Sequence, residues 1–220
     1  MNSEWIRQAE AACKEAFLRI DEISLLHTGR VLDTFHRYEV GTRHFAPTTG
    51  YGYDDVGRDT LEKIMADLFH AEAAIVRPHI VSGTHALSLC LFGLLLPGDE
   101  LLYASGAPYD TMQEVIGIRG DRPGSLKEMG IGYRQVEMKD GQLDTDGILS
   151  AIGSRTKVVA IQRSRGYALR ASLLPEEMAQ TIRSIHERRP DIWVMVDNCY
   201  GEFVCEKEPT DFGADVVSAA

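Results

Sequence analysis

Strand-like and helical segments alternate along most of the chain, and this pattern constrains the fold more than any other feature. The strand-like segments are 73–78, 99–105, 131–138, 156–164, 192–198 and 213–219. Helical patterns lie between them at 82–96, 109–117, 144–152 and from Pro175 to near residue 190. Such alternation predicts an α/β fold of three layers (α/β/α), in which helices cover both faces of a mainly parallel sheet. Ligands of such sheets bind beyond the carboxyl ends of the strands, where the strand order reverses.

The first 58 residues precede this alternation and follow a different pattern. Ser3 is suited to cap an amphipathic helix, whose apolar side chains recur at helical spacing from Trp5 to Ile23. Residues 26–59 are irregular and rich in Gly, Tyr, Arg and His, which is typical of a functional or interfacial segment. Asp59, with a glutamate three residues later, predicts a helix start. We therefore expect an N-terminal helix and interface arm over residues 1–58, and a large domain over 59–220.

Charge and residue spacing argue against several classes of function. The net charge of -10 gives no electrostatic support for binding nucleic acid. Residues 1–17 are too charged for a signal peptide, and the most apolar run, 86–96, is shorter than the roughly 20 residues of a membrane span. The cysteines form no Cys-x-x-Cys pair, and the histidines have no metal-ligand spacing. We therefore predict a cytoplasmic protein with reduced thiols, no metal, and neither nucleic-acid nor membrane partners.

Residues 82–84 form a turn that is suited to binding a phosphate. Ser82, Gly83 and Thr84 stand where a strand-like segment gives way to a helix. A helix N-terminus presents unpaired N–H groups, the glycine permits a close approach of the backbone, and the two hydroxyls add donors. The alternative is that a hydroxyl simply caps the helix. Because the chain lacks the glycine-rich fingerprints of nucleoside triphosphate and dinucleotide sites, any phosphate here belongs to a smaller molecule.

Two further residues lie where strand-like segments end. Tyr109 follows the segment 99–105, so its ring is placed to stack on a flat ligand, or else to pack within a loop. Asp197 ends the apolar run 193–196 and either begins a polar turn or directs a carboxylate at a ligand. A phosphate-binding turn, a stacking aromatic and a strand-end carboxylate together describe a pyridoxal phosphate pocket. There the carboxylate keeps the pyridine nitrogen protonated, and a lysine holds the cofactor aldehyde as a Schiff base.

Four stretches of the chain carry a resemblance to a known family. They are TTGYGYDDVGRDTLEKI (48–64), RPHIVSGTHAL (77–87), IQRSRGYALRASL (161–173) and VDNCYGEF (196–203). Through them the chain resembles the methionine γ-lyase family, also called aluminium resistance proteins, in the Cys/Met-metabolism group of pyridoxal-phosphate enzymes. The resemblance implies the large domain of fold type I. It also implies that Gly83 and Thr84 hold the phosphate, that Tyr109 stacks on the ring, and that Asp197 pairs with the pyridine nitrogen.

Contacts with a second subunit and with the substrate are also expected. The resemblance implies that Tyr51 or Tyr53, with Arg58, lies at the interface of a homodimer or homotetramer and reaches the neighbouring subunit's pocket. From the residues alone, Arg163 and Arg165 follow an apolar strand-like run. Their guanidinium groups match the carboxylate of an amino-acid substrate bidentately. The alternative for this pair is a solvated basic turn.

One element of the family pattern is missing. The resemblance requires a lysine shortly after the segment 213–219, and no lysine of the chain stands there; Lys207 is the nearest in sequence. We therefore expect the N-terminal part of a longer enzyme, with a sheet that is incomplete at its C-terminus. The lysine and a small domain would then lie beyond residue 220.

The function predicted for that longer protein is a carbon–sulfur lyase that uses pyridoxal 5'-phosphate on a sulfur-containing amino acid, by β or γ elimination. The 220-residue chain by itself is expected to be inactive. One alternative is a non-catalytic binding or regulatory protein that holds the cofactor without the Schiff-base lysine. A second is an α/β nucleotide-binding domain, against which the absence of a glycine-rich fingerprint weighs.

Overall fold

The computed structural model describes residues 3–48, 53, 55–121 and 123–219. The chain forms two compact units. The first contains the residues up to Val76 together with Phe203–Glu206, and the second contains Arg77–Glu202 and Lys207–Ala220. The predicted division into residues 1–58 and 59–220 stays a prediction. None of the described helices is long and apolar enough to cross a membrane.

The first unit is built on two helices, α1 (Ser3–Arg37) and α2 (Val56–Leu68), with a short 3-10 turn at Thr42–Phe45 between them. Helix α1 continues past Ile23 to Arg37. The prediction that the chain is irregular from residue 26 onward is therefore wrong for residues 26–37. His27 and Thr34, seven residues apart, are both buried there. Tertiary packing of one helix face therefore extends the helix beyond the part that its apolar spacing indicated.

Helix α2 begins earlier than predicted, because Asp55 and not Asp59 is its cap. The Asp55 carboxylate accepts the N–H of Arg58 at 3.0 Å. The Glu62 carboxylate accepts the N–H of Val76 at 3.0 Å, which takes it away from the predicted capping box. The N–H of Val76, which lies in the segment 73–78, therefore bonds to a side chain and not to a neighbouring strand. The strand predicted for this segment is wrong, since it forms no strand in the structure.

The segment Phe203–Glu206 completes the first unit from a distant part of the sequence. The ring of Phe203 lies 5.2 Å, centroid to centroid, from those of His27 and Phe69. The His27 ring donates from Nε2 to the Cys205 carbonyl at 2.7 Å. Arg30 donates to the carbonyl of Glu206 at 2.6 Å. The aromatic cluster of this unit therefore depends on a segment near the end of the sequence, residues 203–206.

The second unit contains a parallel sheet, which confirms the predicted fold class. Its strands are β1 (Glu100–Tyr103), β2 (Gly132–Gln135), β3 (Thr156–Gln162), β4 (Trp193–Asp197) and β5 (Val216–Ser218). The strand order is β2-β1-β3-β4-β5, and every pairing is parallel. Strand order therefore reverses between β1 and β3, the kind of place where α/β proteins bind ligands.

Helices cover both faces of this sheet. Helices α3 (Gly83–Leu94) and α4 (Asp110–Ile116) share one buried apolar cluster with β1, β3 and β4. Helices α5 (Thr145–Ala151) and α6 (Pro175–Arg188) share another cluster with the opposite face of these strands. Alternate strand residues thus point into different cores, which explains why β3 and β4 are apolar almost throughout.

Local signals located the helices of this unit well. Asp144 caps α5 by accepting the N–H of Gly147 at 3.0 Å, and Pro175 opens α6, both as predicted. Helix α3 is the predicted apolar helix. It buries Leu87 and Leu91, whereas Leu89 is 48% exposed, so only one face of this helix is covered by the described residues.

Candidate active site

The carboxyl ends of β3, β4 and β5 bring three polar side chains into one row. Gln162 pairs in register with Asp197, and Asp197 pairs in register with Ser218. Paired residues of a parallel sheet point to the same face. Met195, two residues before Asp197, belongs to the apolar cluster of α3 and α4. All three polar side chains therefore lie on the face that α3 and α4 cover, next to the reversal of strand order.

Asp197 is a buried carboxylate, 4% exposed, whose only hydrogen-bond partner among the described residues is Cys199. Its Oδ1 accepts the Cys199 N–H at 3.1 Å. Burial raises the pKa of Asp197, and the hydrogen bonds from Cys199 offset this rise only in part. Burial and the nearby Asp197 carboxylate raise the pKa of Cys199 to about 12, so this thiol stays protonated. A carboxylate in this setting favours a ligand that brings a proton or a positive charge.

The turn at residues 82–84 lies at the N-terminus of α3, as predicted. Ser82 caps the helix, since its hydroxyl accepts the N–H of His85 at 3.1 Å. The N–H groups of Gly83 and Thr84 have no hydrogen-bond partner in the part of the chain that the structure describes. Free donors at a helix N-terminus are suited to an anion. The phosphate role of these residues stays a prediction.

Tyr109 contacts the same turn. Its hydroxyl is hydrogen-bonded to Thr84 Oγ1 at 2.9 Å, and Thr84 Oγ1 also lies 2.9 Å from Thr111 Oγ1. The backbone N–H of Tyr109 donates to the side-chain oxygen of Gln162 at 3.2 Å. The Gln162 amide in turn donates to the Ser164 carbonyl at 3.0 Å. The structure therefore joins the predicted phosphate turn, the predicted stacking aromatic and the end of β3.

Sequence analysis missed three side chains at this site, namely Tyr103, Gln162 and Ser218. Tyr103 is buried at the end of β1, and burial, followed by the charge of Asp197, holds its pKa well above the usual value. The Ser218 hydroxyl is buried and makes no hydrogen bond of good geometry among the described residues, and its polar neighbour is the Cys90 thiol of α3. The sequence signal that could have found them is a polar residue at the end of an apolar strand. We used this signal to identify Asp197 and did not apply it to the other strands.

The two arginines predicted to bind a substrate carboxylate lie in different environments. Arg163 is 5% exposed, and its guanidinium donates to the carbonyls of Leu173 and Gly201, both at 2.9 Å, and to Asn198 Oδ1 at 2.6 Å. Arg165 is exposed. A guanidinium that is held within the protein is less available to a ligand than an exposed one. Both substrate roles stay predictions.

The residues predicted to lie at a subunit interface belong to the first unit. Tyr51 lies outside the described residues. Tyr53 is 80% exposed. Arg58 lies in the first turn of α2 and donates from Nε and Nη2 to Asp59 Oδ1, at 3.1 and 2.9 Å. The contact of these residues with a neighbouring subunit therefore stays a prediction.

The residues at the strand ends fit the chemistry of pyridoxal phosphate. Asp197 offers a buried carboxylate, and a protonated pyridine nitrogen would offset the cost of burying that charge. Gly83 and Thr84 offer free N–H groups for a phosphate. The buried Ser218 hydroxyl, which has only the Cys90 thiol as a polar neighbour, offers a further polar contact in the same row. No group of three or more metal-ligating side chains occurs among the residues that were placed.

Comparison with known sequences shows which family this chain resembles. The sequence model of the family described as methionine gamma-lyase matches residues 2–220. The uncharacterized protein YnbB of Bacillus subtilis (strain 168) is 51% identical over 215 residues, which are 97% of this chain and 51% of that protein. The chain therefore spans about half the length of this relative.

Solved structures show the same relation. A structure from Listeria innocua, described as a candidate cystathionine beta-lyase involved in aluminium resistance, has a TM-score of 0.93 at 47% identity. The match covers 99% of this chain and 54% of that chain. The pyridoxal-5'-phosphate dependent protein YhfS from Escherichia coli, at 21% identity, shares the fold with a TM-score of 0.65, over 90% of this chain and 50% of its own.

Proposed function

The chain belongs to the methionine gamma-lyase family, and from this premise we propose that the protein, at its native length, is a pyridoxal-phosphate-dependent carbon–sulfur lyase. We propose that its substrate is a sulfur-containing amino acid. The observation that carries the proposal is the buried Asp197 carboxylate, which ends β4, the strand next to β3 at the reversal of strand order, and has Cys199 as its only described partner. The name of the Listeria innocua protein supports the choice of carbon–sulfur cleavage.

Each residue of the site has a distinct role in this proposal. The bound cofactor supplies a ring that withdraws electrons from the α-carbon of the substrate. Asp197 holds a proton at the pyridine nitrogen, and its burial excludes water from that contact. The N–H groups of Gly83 and Thr84 bind the phosphate at the positive end of α3. Tyr109, held by Thr84 and Gln162, orients the face of the ring.

Arg165 is the better candidate for the substrate carboxylate. The guanidinium of Arg163 already donates to two carbonyls and a side-chain amide inside the protein. Arg165 is exposed in the segment that follows β3, the strand next to the reversal of strand order. A planar guanidinium binds a carboxylate through two parallel hydrogen bonds, which fixes the orientation of an amino acid. We therefore assign the substrate contact to Arg165.

The experiment uses the protein purified at its native length. Added pyridoxal phosphate should produce the visible absorption of bound cofactor. Cystathionine, methionine or cysteine should then yield an α-keto acid in a cofactor-dependent reaction. Asp197→Asn should lower kcat/KM by about 100-fold, because the substituted side chain no longer stabilises charge at the pyridine nitrogen. The matched control is Asp191→Asn, at an exposed aspartate that pairs with Arg189. It should leave kcat/KM within about twofold.

Two outcomes would contradict the proposal in different ways. If the cofactor binds but borohydride does not fix it, and no keto acid forms, the protein is the non-catalytic binding protein. If the cofactor does not bind at all, both the lyase and the binding protein are wrong. Titration with nicotinamide and adenine nucleotides then tests the nucleotide-binding alternative.

A further inference from the structure

A buried polar cluster adjoins Asp197, whose carbonyl accepts the Arg163 N–H at 3.1 Å. It consists of Arg163 at the end of β3 and the turn 198–201 at the end of β4. The Arg163 guanidinium donates from Nη1 to Asn198 Oδ1 at 2.6 Å and to the Gly201 carbonyl at 2.9 Å. It also donates from Nε to the Leu173 carbonyl at 2.9 Å. The Asn198 amide donates to the buried Glu208 carboxylate at 3.0 Å. The guanidinium is thus held by at least three acceptors.

The same turn carries the donor that holds Asp197. The Gly201 N–H donates to the Asn198 carbonyl at 2.7 Å and closes the turn. Inside it, the Cys199 N–H donates to Asp197 Oδ1 at 3.1 Å. Tyr200 has a φ of 70°, a left-handed conformation that residues other than glycine rarely adopt. A turn with this backbone needs contacts from its surroundings to persist, and the guanidinium supplies two of them.

We propose that Arg163 is a positioning residue that holds the turn 198–201, so that the Cys199 N–H fixes the Asp197 carboxylate toward the cofactor. Arg163 acts through the turn, without touching substrate or cofactor. This inference rests on the proposed function for its catalytic meaning. The hydrogen bonds from Arg163 to the turn 198–201, called the clamp below, are present in the chain without a ligand. It replaces the prediction that Arg163 clamps a substrate carboxylate.

The glycine at position 201 belongs to the same arrangement. A Cβ atom there would overlap Nη1 of Arg163 and Oδ1 of Asn198. Any side chain at 201 therefore displaces the guanidinium without removing its charge. Gly201→Ala should reproduce the loss of the clamp, and it provides a second way to break the clamp if variants at 163 fold poorly.

The first readout is hydrogen exchange of the Cys199 amide, measured by NMR in the native-length protein without cofactor. Arg163→Gln and Gly201→Ala should each speed this exchange by at least about tenfold, because the turn opens more often. Arg163→Lys, which keeps a cationic donor, should restore most of the protection. Amides of the central strands, such as those of Val159 and Val194, should keep their rates. The matched control is Arg183→Gln, at an exposed arginine of α6, which should change none of them.

The second readout is the dissociation constant of pyridoxal phosphate. Arg163→Gln should raise it by about tenfold, the effect of losing one well-placed hydrogen bond, and Arg163→Lys by no more than about threefold. The double variant Arg163→Gln with Asp197→Asn should bind no more weakly than Asp197→Asn alone. A residue that acts through another adds nothing once that other is removed.

The outcomes separate the clamp from the proposed function. Unchanged exchange at Cys199 in the Arg163 and Gly201 variants overturns the inference. So does additive loss in the double variant, which would place Arg163 in direct contact with a ligand. If the unsubstituted protein binds no pyridoxal phosphate, the proposed function fails. The exchange rates at Cys199 then still decide whether Arg163 holds the turn.

Discussion

Two buried carboxylates lie at opposite ends of the same sheet, and they are satisfied to different degrees. Glu100 begins β1 and is 3% exposed. Thr156 donates to one of its oxygens at 2.8 Å and Arg134 to the other at 3.0 Å. Asp197 ends β4 and has only Cys199 as a hydrogen-bond partner among the described residues. Because buried polar groups are normally fully bonded, an under-satisfied one marks a functional site. Glu100 therefore serves the fold, whereas the role proposed for Asp197 is to bind a ligand.

Of the two carboxylate substitutions that test this comparison, the one at Glu100 should change the free energy of unfolding more. Glu100→Gln should lower the free energy of unfolding by about 2 kcal/mol, because the buried side chain loses its ion pair with the half-exposed Arg134 and donors no longer match acceptors. The affinity for pyridoxal phosphate should stay within about twofold, since Glu100 lies at the amino end of its strand. Urea unfolding and cofactor titration measure the two quantities. The control is Glu187→Gln on the exposed face of α6, and an equal effect in both variants would make Glu100 an ordinary surface acid.

Asp197 should show the reverse behaviour. Burial raises its pKa above the 3.8 of an unperturbed aspartate, so folding favours the protonated form. The stability that this provides is complete below pH 3.8 and is lost as the pH rises through the folded-state pKa. Without cofactor, Asp197→Asn avoids that loss and should be more stable than the unsubstituted protein at neutral pH, by about 1 kcal/mol.

Urea unfolding of both proteins at several pH values checks this prediction. The stability difference between them should grow as the pH rises from the acid range and then level off. A difference that shrinks with rising pH would mean that the fold favours the ionised carboxylate. In that case Asp197 is satisfied by the protein alone, and its contrast with Glu100 disappears.

The smallest effect is expected at the Ser218 hydroxyl, which contrasts with the hydroxyl of Thr156. Thr156 Oγ1 donates to Glu100 and accepts the Gly153 N–H at 2.9 Å, whereas the Ser218 hydroxyl has only the weakly bonding Cys90 thiol as a polar neighbour. Thr156→Val should destabilise the protein by about 2 kcal/mol. Ser218→Ala should change the stability by less than about 0.5 kcal/mol, and in the stabilising direction. Thermal unfolding without cofactor measures both. A clear loss in Ser218→Ala would show that its hydroxyl is bonded within the protein.

The sheet and much of the site followed from local sequence signals. Apolar runs bounded by turns located β1 to β5, and the cap at Asp144 was read directly. The rule that strand ends meet at one edge predicted that Tyr109 and Asp197 lie in one region, whereas the strand expected before Thr84 does not form. Thr84 and Tyr109 are in contact and Asp197 is buried, and the roles predicted for all three stay predictions.

The remaining features depend on tertiary structure. The length of α1 follows from the burial of His27 and Thr34, which apolar spacing does not reveal. Ser218 enters the row beside Asp197 only through strand register. Arg163 looked like a ligand contact in the sequence, and its packing against the turn after β4 shows how its donors are used. Side chains that act through distant neighbours are therefore the ones that sequence patterns describe least well.

The aromatic contacts of the first unit cannot form as soon as its helices leave the ribosome. Helices α1 and α2 are synthesised early, but Phe203, which packs against His27 and Phe69, follows only after β1 to β4. Closure of such a long-range contact is slow, and the aromatic surface is open to other chains until it forms. A nascent chain that pauses before Phe203 should therefore bind chaperones more strongly than one that pauses after Glu206.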